Sequence, residues 1–404
     1  MKAVRAGWST RQEIALNWLS QRFELSRGGA AANVRPMEGL RGFAVFLVFI
    51  VHFVTLVTPW LTGNPDFLAF TRALHSIGNT GVDVFFVLSG YLIYSSLISR
   101  HQSFPRFMAR RVQRLYPAFI VVFVIYLLLS FLFSAESKIP RETSGAIIYL
   151  LQNFLLLPGL FPIEPMITVA WSLSYEMFYY LTLPLVIGLF GLRERSPLWR
   201  GVFFLSVALA TALYCAINGG PVRLIMFIAG ILVYEAMNIP GLFSPHRFFG
   251  LLGLAAGLLC MLLPLPGSAG ATVKIGILFI AYFTVCLSCF RHPSSGLARS
   301  FSWTPLRWLG NMSYSYYLLH GLALKAAFMG LPVVLPIGSH GPALFWGLMP
   351  LMFAATLVPT ALLFLLIERP LSLSPHRGGA TRLAPASTIE RPLTPAKPKL
   401  ARHR

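Results

Sequence analysis

The chain has 404 residues, of which 56% are hydrophobic and only 11% are charged. An average soluble domain carries roughly 25% charged residues, so a water-soluble globular architecture is excluded for most of the chain. The formal net charge of +20 would suit a nucleic-acid-binding protein, but the basic residues lie between long apolar segments, where membrane topology explains them better. We therefore expect membrane lipid, and no nucleic acid, as the surroundings of the chain.

Apolar segments of roughly 18 to 25 residues recur along the chain, and each is long enough as a helix to cross the hydrocarbon core of a bilayer. If the amino terminus is cytoplasmic, 27 of the 33 Lys and Arg residues fall on the cytoplasmic side, as the positive-inside rule requires. The sequence therefore predicts an all-α integral membrane fold with about ten transmembrane helices and both termini in the cytoplasm. The predicted spans are residues 39–58, 79–97, 116–134, 170–190, 201–217, 222–237, 248–264, 273–290, 309–329 and 343–367.

Residues 37–370 form the predicted membrane domain, and a basic segment flanks it on each side. In residues 1–36, Thr10 and Glu13 have the spacing of a helix-capping box, which favours a helix in the membrane interface; a partly ordered cytoplasmic arm is the alternative. No small-residue cleavage site follows the first apolar run, so we expect no signal peptide. Residues 371–404 are rich in Pro, Ala, Arg and Lys, and this composition predicts disorder.

All four cysteines fall in apolar segments, where a thiol behaves as a small buried hydrophobe. We therefore expect neither a disulfide framework nor a metal site. The cysteines are Cys215, Cys260, Cys286 and Cys289.

Ionisable side chains inside a membrane are costly and mark candidate functional sites, and three of those in the predicted spans stand out. His52, Asp83 and Glu176 are predicted at a common depth, roughly 6 to 9 Å below the outer face. An imidazole, one carboxylate that orients it and a second that handles a proton make a reasonable acid–base constellation. The alternative is a structural network of buried polar groups that binds the helices together, and the sequence leaves both interpretations open.

Arginines cluster at the opposite, cytoplasmic face. Arg106, Arg110, Arg111 and Arg114 precede the third span, and Arg41 opens the first. A guanidinium can donate two hydrogen bonds to one phosphate, so the cluster favours a phosphate-bearing ligand; topology or anionic lipid head groups are the alternative. Eleven residues separate Arg41 from His52 on one helix face, a distance of roughly 16 Å that a long, phosphate-headed donor could bridge.

Six short motifs lie along residues 37–370: Glu38–Gly42 followed by His52, Gly81–Ile93, Arg110–Pro117, Trp171–Glu176, Leu309–His320 and Glu368–Pro370. In these motifs and their order the chain resembles the membrane acyltransferase-3 family. Members of that family acylate hydroxyl groups of sugars and other exported molecules. Two departures are Glu38, where relatives often have Asp, and Met177 with Phe178, where relatives often have a second Glu and a Gln.

The resemblance implies a membrane-bound O-acyltransferase of the bacterial inner membrane. It implies an acyl-coenzyme A donor that binds from the cytoplasm, a glycan hydroxyl as acceptor on the outer side, and no bound cofactor. Acetyl is the default acyl group, and succinyl remains open. No soluble hydrolase-like domain follows the helices, so the unit is expected to act alone or with a separate periplasmic partner. The implied donor-binding residues are Arg41, Arg110, Arg111 and Arg114.

The same resemblance implies that His52 deprotonates the acceptor hydroxyl or carries the acyl group, while Asp83 or Glu176 orients it. Four further residues of the matched motifs are substrate-binding or structural candidates: Trp171, Ser174, Tyr317 and His320. A bond to a neighbouring helix is the simpler role for a histidine in the ninth span, and an interface anchor is the simpler role for Trp171. A transporter or flippase that moves a glycan without modifying it is the rival function, because its buried charges would line a transport path.

Overall fold

The computed structural model describes residues 17–25, 31–241 and 248–373, and this part of the chain is helical without a β-strand. Residues 17–23 form a short helix, and Phe364–Ser372 continue the last long helix as a π-helix. The helices between them are α1 (Ala31–Val57), α2 (Pro65–Gly78), α3 (Thr80–Ile98), α4 (Phe104–Leu132), α5 (Thr143–Phe154), α6 (Trp171–Leu189), α7 (Pro197–Asn218), α8 (Ile225–Asn238), α9 (Phe248–Leu259), α10 (Gly267–Arg291), α11 (Gly296–Phe301), α12 (Thr304–Asn311), α13 (Ser313–Val334) and α14 (Pro342–Leu363).

Seven helical stretches in the described residues are long and apolar enough to cross a membrane. The predicted all-α fold is therefore confirmed, whereas the count of ten and the side of the termini remain predictions. Three of the ten predicted spans correspond to α6, α8 and α9, which are helical but fall outside the seven. The 14 residues of α8 rise only about 21 Å, less than the roughly 30 Å of a hydrocarbon core. The seven stretches are Arg35–Trp60, Pro65–Ile98, Phe104–Leu132, Pro197–Asn218, Gly267–Arg291, Ser313–Val334 and Pro342–Ser372.

The short helix at residues 17–23 packs against one end of the bundle. The ring of Phe23 stacks on Phe364 with centroids 5.8 Å apart, and the Phe23 carbonyl oxygen accepts a hydrogen bond of 2.9 Å from Asn311. Glu24 forms an ion pair with Arg307. The proposed capping box at Thr10–Glu13 and residues 374–404 lie outside the described part of the chain.

Two glycines allow helices α3 and α8 to approach each other closely. A Cβ atom on Gly90 of α3 would lie 2.0 Å from the carbonyl oxygen of Phe227, and one on Gly230 of α8 would lie 1.9 Å from that of Val87. Small residues at such crossings let helix backbones pack without a hydrophobic driving force in lipid. Substitution at either glycine would force α3 and α8 apart.

Helix α1 lies between two apolar cores and therefore positions its polar residues at the centre of the molecule. Its Ala44 and Val48 belong to a core with α3, α4, α6, α8 and α10. Its Phe49 and Phe53 belong to a second core, with α13 and α14. Side chains on the remaining face of α1 point between these cores, and this face carries Arg41 and His52.

Candidate active site

A cavity of about 120 Å³ lies between α1, α3, α4, α6 and α13. Three of the predicted arginines line it, so we call it the arginine cavity. Glu176 is the one carboxylate among its lining residues, and Leu88, Leu92 and Ile93 contribute apolar wall. Its polar lining residues are Arg41, Ser89, Arg111, Arg114, Ser172, Glu176, Tyr180, Ser313, Tyr314 and Tyr317.

Arg114 is held in the arginine cavity by a residue more than two hundred positions away. Its Nη1 donates to Glu368 Oε1 over 2.6 Å, and the Glu368 side chain is fully buried. The second Glu368 oxygen accepts hydrogen bonds from the backbone N–H and the hydroxyl of Ser315, at 3.0 and 2.6 Å. The guanidinium of Arg114 also lies over the ring of Tyr314, 5.2 Å from its centroid. These contacts explain why a motif at the end of the membrane domain belongs to the site.

Arg111 forms no ion pair with a carboxylate in the described residues. Its guanidinium lies between the rings of Phe107 and Tyr180, 5.0 and 5.3 Å from their centroids. One Nη donates to Ser96 over 2.9 Å, whereas its buried Nε has no hydrogen-bond partner. A buried donor without a partner is costly, and an anion bound in the cavity would satisfy it.

Arg41 and Arg110 differ in their position relative to the arginine cavity. The Nε of Arg41 donates to Ser313 Oγ over 3.1 Å, which fixes the side chain at the cavity wall. Arg110 is exposed and hydrogen-bonds to Gln102 and to the Arg106 carbonyl oxygen. Arg110 is absent from the residues that line the cavity. The structure thus brings three of the four predicted donor-binding arginines together.

A second, larger cavity of about 490 Å³ lies between α1, α4, α13 and the segment 136–169. His52 lines it, so we call it the histidine cavity. Its walls are mainly apolar, and its charged groups pair with one another or with nearby loops. Lys325 forms an ion pair with Glu136, and Lys138 forms one of 3.0 Å with Glu164.

His52 contacts a second histidine. The rings of His52 and His320 are 4.9 Å apart at an interplanar angle of 70°. His320 is fully buried, and its Nδ1 lies 2.9 and 3.0 Å from the carbonyl oxygens of Tyr316 and Tyr317. His75 of α2 is also near enough to interact electrostatically with His52.

The two cavities are stacked along the same elements, and Tyr317 separates them. Its hydroxyl donates to the carbonyl oxygen of Val169 over 3.1 Å and is 2.7 Å from the Ser172 hydroxyl. Tyr317 and Ser172 line the arginine cavity, whereas Val169 lines the histidine cavity. Residues of α1, α4 and α13 line both cavities, so one set of helices carries arginines at one end and His52 at the other.

The structure places the three predicted acid–base residues in three environments. His52 lines the histidine cavity, and Glu176 faces the arginine cavity, where it accepts a hydrogen bond from Tyr180. Asp83 lines neither cavity. It is fully buried, neither carboxylate oxygen has a hydrogen-bond partner, and Arg223 Nε lies 3.6 Å from it. A common depth did not bring the groups together because depth says nothing about the rotation of each helix about its axis.

Trp171 and Ser174 support the wall of the site. The Trp171 ring packs edge-on against Phe86, with centroids 6.2 Å apart. Ser174 is buried and donates to the carbonyl oxygen of Pro158, which ties the loop before α6 to that helix. No sugar-binding position is evident for Trp171, because neither cavity is lined by it.

Sequence reasoning missed several residues that complete the two cavities. Ser313 and Tyr314 lie inside a matched motif, and Tyr180 lies one turn after Glu176, so their positions relative to known candidates could have identified them. His75 lies outside every matched motif, and only the folded structure places it near His52.

A profile of the family described as an acyltransferase domain matches residues 36–368. The chain belongs to the acyltransferase-3 family. The resemblance drawn from six short motifs is therefore confirmed, and the match covers most of the chain.

Three relatives show how the similarity is distributed. The chain is 27% identical to YrhL of Bacillus subtilis (strain 168) over 384 residues, which cover 86% of this chain and 56% of the relative. It is 26% identical to the peptidoglycan O-acetyltransferase OatA of Listeria monocytogenes over 371 residues, 84% of this chain and 56% of the relative. It is 28% identical to the O-acetyltransferase OatA of Staphylococcus aureus over 317 residues, 70% of this chain and 49% of the relative.

The chain spans about half the length of these relatives. No solved structure matches it.

Proposed function

We propose that this chain transfers an acyl group, acetyl by default, from acyl-coenzyme A to a hydroxyl of an exported glycan. The observation that carries the proposal is the stacking of the arginine and histidine cavities along the same helices. Family membership supports group transfer, and the relatives named peptidoglycan O-acetyltransferases support a glycan acceptor of the peptidoglycan type.

The distribution of basic residues supports an orientation for the two cavities. With both termini in the cytoplasm and ten spans, most Lys and Arg residues lie inside, as the positive-inside rule favours. The arginine cavity then opens toward the cytoplasm, where acyl-coenzyme A is made, and the histidine cavity opens toward the periplasm of a bacterial inner membrane. A separate periplasmic protein that hands on the acyl group is compatible with this arrangement.

The donor's phosphates bind Arg41, Arg111 and Arg114 in this proposal. Arg111 is the main contact, because its charge has no carboxylate partner among the described residues and its buried Nε lacks a hydrogen-bond acceptor. Arg114, already paired with Glu368, contributes less charge. Arg110 is exposed outside the cavity, where anionic lipid head groups are the natural ligand.

The pantetheine arm extends from the arginines toward His52, a rise of roughly 16 Å along α1. The Tyr317 contact with Ser172 and Val169 lies on this path, so the tyrosine side chain must move before the thioester reaches the histidine. Its hydroxyl makes ordinary hydrogen bonds, each worth about 0.5 to 1.5 kcal/mol, and such bonds break readily.

His52 acts as the general base. It takes the proton of the acceptor hydroxyl as that oxygen attacks the thioester carbonyl, the carbon–sulfur bond breaks, and the imidazolium returns the proton to the departing thiolate. An acyl-imidazole on His52 is the two-step form of the same balanced transfer.

Glu176 and Asp83 have different proposed roles. Glu176 faces the arginines and limits the positive charge of the donor cavity. Asp83 pairs with Arg223 and acts on helix packing.

Ester analysis of glycans tests the proposal. Base-labile esters on surface and periplasmic glycans are compared in cells with the intact protein, cells without it, and cells with His52→Ala at equal protein level. Loss of esters in both altered strains supports transfer, and mass spectrometry of the lost group identifies the acyl chain. Unchanged esters with reduced glycan export would instead make the chain a transporter.

A further inference from the structure

His320 of α13 has a defined proton arrangement. Its Nδ1 faces the carbonyl oxygens of Tyr316 and Tyr317 at 2.9 and 3.0 Å. A carbonyl oxygen only accepts hydrogen bonds, so Nδ1 must carry the proton. In the neutral imidazole the other nitrogen, Nε2, then holds a lone pair and can only accept.

The lone pair on His320 Nε2 has no partner in the structure. The side chain is fully buried, and Nε2 is among the buried polar atoms without a hydrogen bond. The ring is also fixed in orientation, because Tyr316 stacks on it with centroids 5.1 Å apart at an angle of 11°. A buried acceptor is costly to leave unpaired, so a donor is expected in front of it.

The ring beside His320 is that of His52, with centroids 4.9 Å apart. Two imidazoles joined by one N–H···N hydrogen bond of about 2.9 Å have centroids roughly 5 Å apart. The observed separation matches that geometry, and a rotation of the half-buried His52 ring closes the bond.

We propose that His320 is the positioning residue of His52: its Nε2 accepts the ring N–H of His52 and holds that ring in one tautomer. This proposal rests on the proposed function, in which His52 is the general base. The second nitrogen of His52 then keeps its lone pair and points into the histidine cavity toward the acceptor hydroxyl. In serine hydrolases an aspartate fixes the catalytic histidine in this way.

Neither carboxylate predicted from the sequence can replace His320 in this role as the structure stands. Glu176 lines the other cavity, and Asp83 lies beside Arg223. Other charged or titratable groups near His52 are His75 and the titratable residues of the histidine cavity, which are Tyr126, Glu136, Lys138 and Lys325. Lys325 and Glu136 pair with each other and Lys138 pairs with Glu164, which leaves His320 as the unpaired acceptor.

Two substitutions separate the acceptor function of His320 from its packing. His320→Gln keeps an acceptor oxygen near the position of Nε2, whereas His320→Phe keeps the stacked ring and removes the acceptor. His340→Phe is the control, because His340 lies in the connection between α13 and α14, outside both cavities, and its ring bonds to the Pro336 carbonyl oxygen. Full-length proteins are reconstituted in lipid vesicles with ¹⁵N-labelled histidine, and the signal of His52 is assigned by its loss in His52→Gln.

Solid-state NMR of the ring nitrogens measures the tautomers without turnover. We expect the wild-type protein to show His320 protonated on Nδ1 and His52 in a single tautomer. His320→Phe should give a mixture of His52 tautomers, and His320→Gln should retain one. A single, unchanged His52 tautomer in His320→Phe would overturn the proposal.

Kinetics with acetyl-coenzyme A and soluble N-acetylglucosamine oligomers provide the second measurement. His320→Phe should lower kcat by about 10- to 100-fold, which is part of the contribution of a general base. The donor KM should not change. His320→Gln should recover most of the lost kcat. Equal losses in His320→Phe and His320→Gln would mean a packing role and would also overturn the proposal. A wild-type protein without transferase activity would refute the proposed function, while the NMR result would still decide the histidine contact.

Discussion

The arginine cavity and the histidine cavity are built from the same helices but differ in how their charges are held. Arg114 and Arg41 are fixed by Glu368, Ser315 and Ser313 through buried or half-buried bonds. In the histidine cavity, the ion pair of Lys325 and Glu136 is half-exposed, with 52% of each side chain accessible. The difference indicates that one cavity is preorganised for a charged ligand and the other has adaptable walls.

Preorganisation suits a donor that is the same in every turnover, because fixed charges lose little entropy on binding. Apolar walls with partly exposed charges at the rim suit an acceptor that is long or varied. The two regions should therefore respond differently to substitution.

Removal of the base should have the largest effect. His52→Ala should lower kcat for acyl transfer by about 10²- to 10⁴-fold, the usual contribution of a general base, with the donor KM unchanged. Steady-state assays on protein in vesicles measure both constants, with His340→Ala as a matched histidine control. A kcat within a factor of two of the wild type would remove His52 from the mechanism.

Breaking the buried ion pair of Arg114 and Glu368 should have the next largest effect, a loss of unfolding free energy. Glu368→Gln leaves the Arg114 charge uncompensated, which costs about 3 to 5 kcal/mol of unfolding free energy for a buried pair. Glu164→Gln at the rim of the other cavity removes a partner that is 63% exposed, and this should cost about 0 to 1 kcal/mol. Denaturant unfolding in mild detergent compares the two, and equal losses would contradict the distinction between the cavities.

Loss of the Tyr317 hydroxyl, at the boundary between the two cavities, should lower stability less. It should have a specific effect on the access of small molecules from the arginine cavity to the histidine cavity. Tyr317→Phe removes hydrogen bonds to Val169 and Ser172 worth about 1 to 3 kcal/mol together. The measurement is the labelling rate of Thr55→Cys by a thiol reagent supplied from the arginine side of sealed vesicles.

The matched control for that experiment is Tyr316→Phe. The Tyr316 hydroxyl bonds to Thr356 over 2.8 Å on the α14 side of the same helix. Its loss should therefore leave the two cavities separated. Faster labelling in Tyr317→Phe and not in Tyr316→Phe is the expected result. Equal rates in all three proteins would show that the tyrosine does not separate the cavities.

Arg110→Gln should have the smallest effect. The residue is exposed and outside the cavity, so the donor KM should stay within about twofold of the wild type, as for a solvent-screened charge. Initial-rate measurements over a range of acetyl-coenzyme A concentrations test this. A tenfold rise in KM would show that the donor extends onto the outer surface of α4.

Part of this arrangement could be predicted from the sequence. Hydropathy indicates the membrane helices, and the eleven-residue spacing puts Arg41 and His52 on one helix face. Arg110 and Arg111 could not be distinguished, because successive helical residues point about 100° apart and only the neighbouring helices show which one faces the cavity.

Contacts between residues that are far apart in the sequence could not be predicted from sequence patterns. Glu368 meets Arg114 across 254 positions, and His320 meets His52 because α1 and α13 pack side by side. Glu176 shared a predicted depth with His52, yet its helix turns it toward the arginines. Helix rotation and long-range packing are properties of the folded bundle and leave no local pattern.

The central claim is that one cavity binds the donor and the other performs the transfer. The most direct test measures equilibrium binding of unacylated coenzyme A to the wild type, Arg111→Gln and His52→Ala in vesicles. We expect His52→Ala to bind as the wild type does and Arg111→Gln to bind about 10-fold or more weakly, the loss of one charged hydrogen-bonding group. Unchanged binding in Arg111→Gln, or equal losses in both variants, would contradict the division of the site into a donor cavity and a transfer cavity.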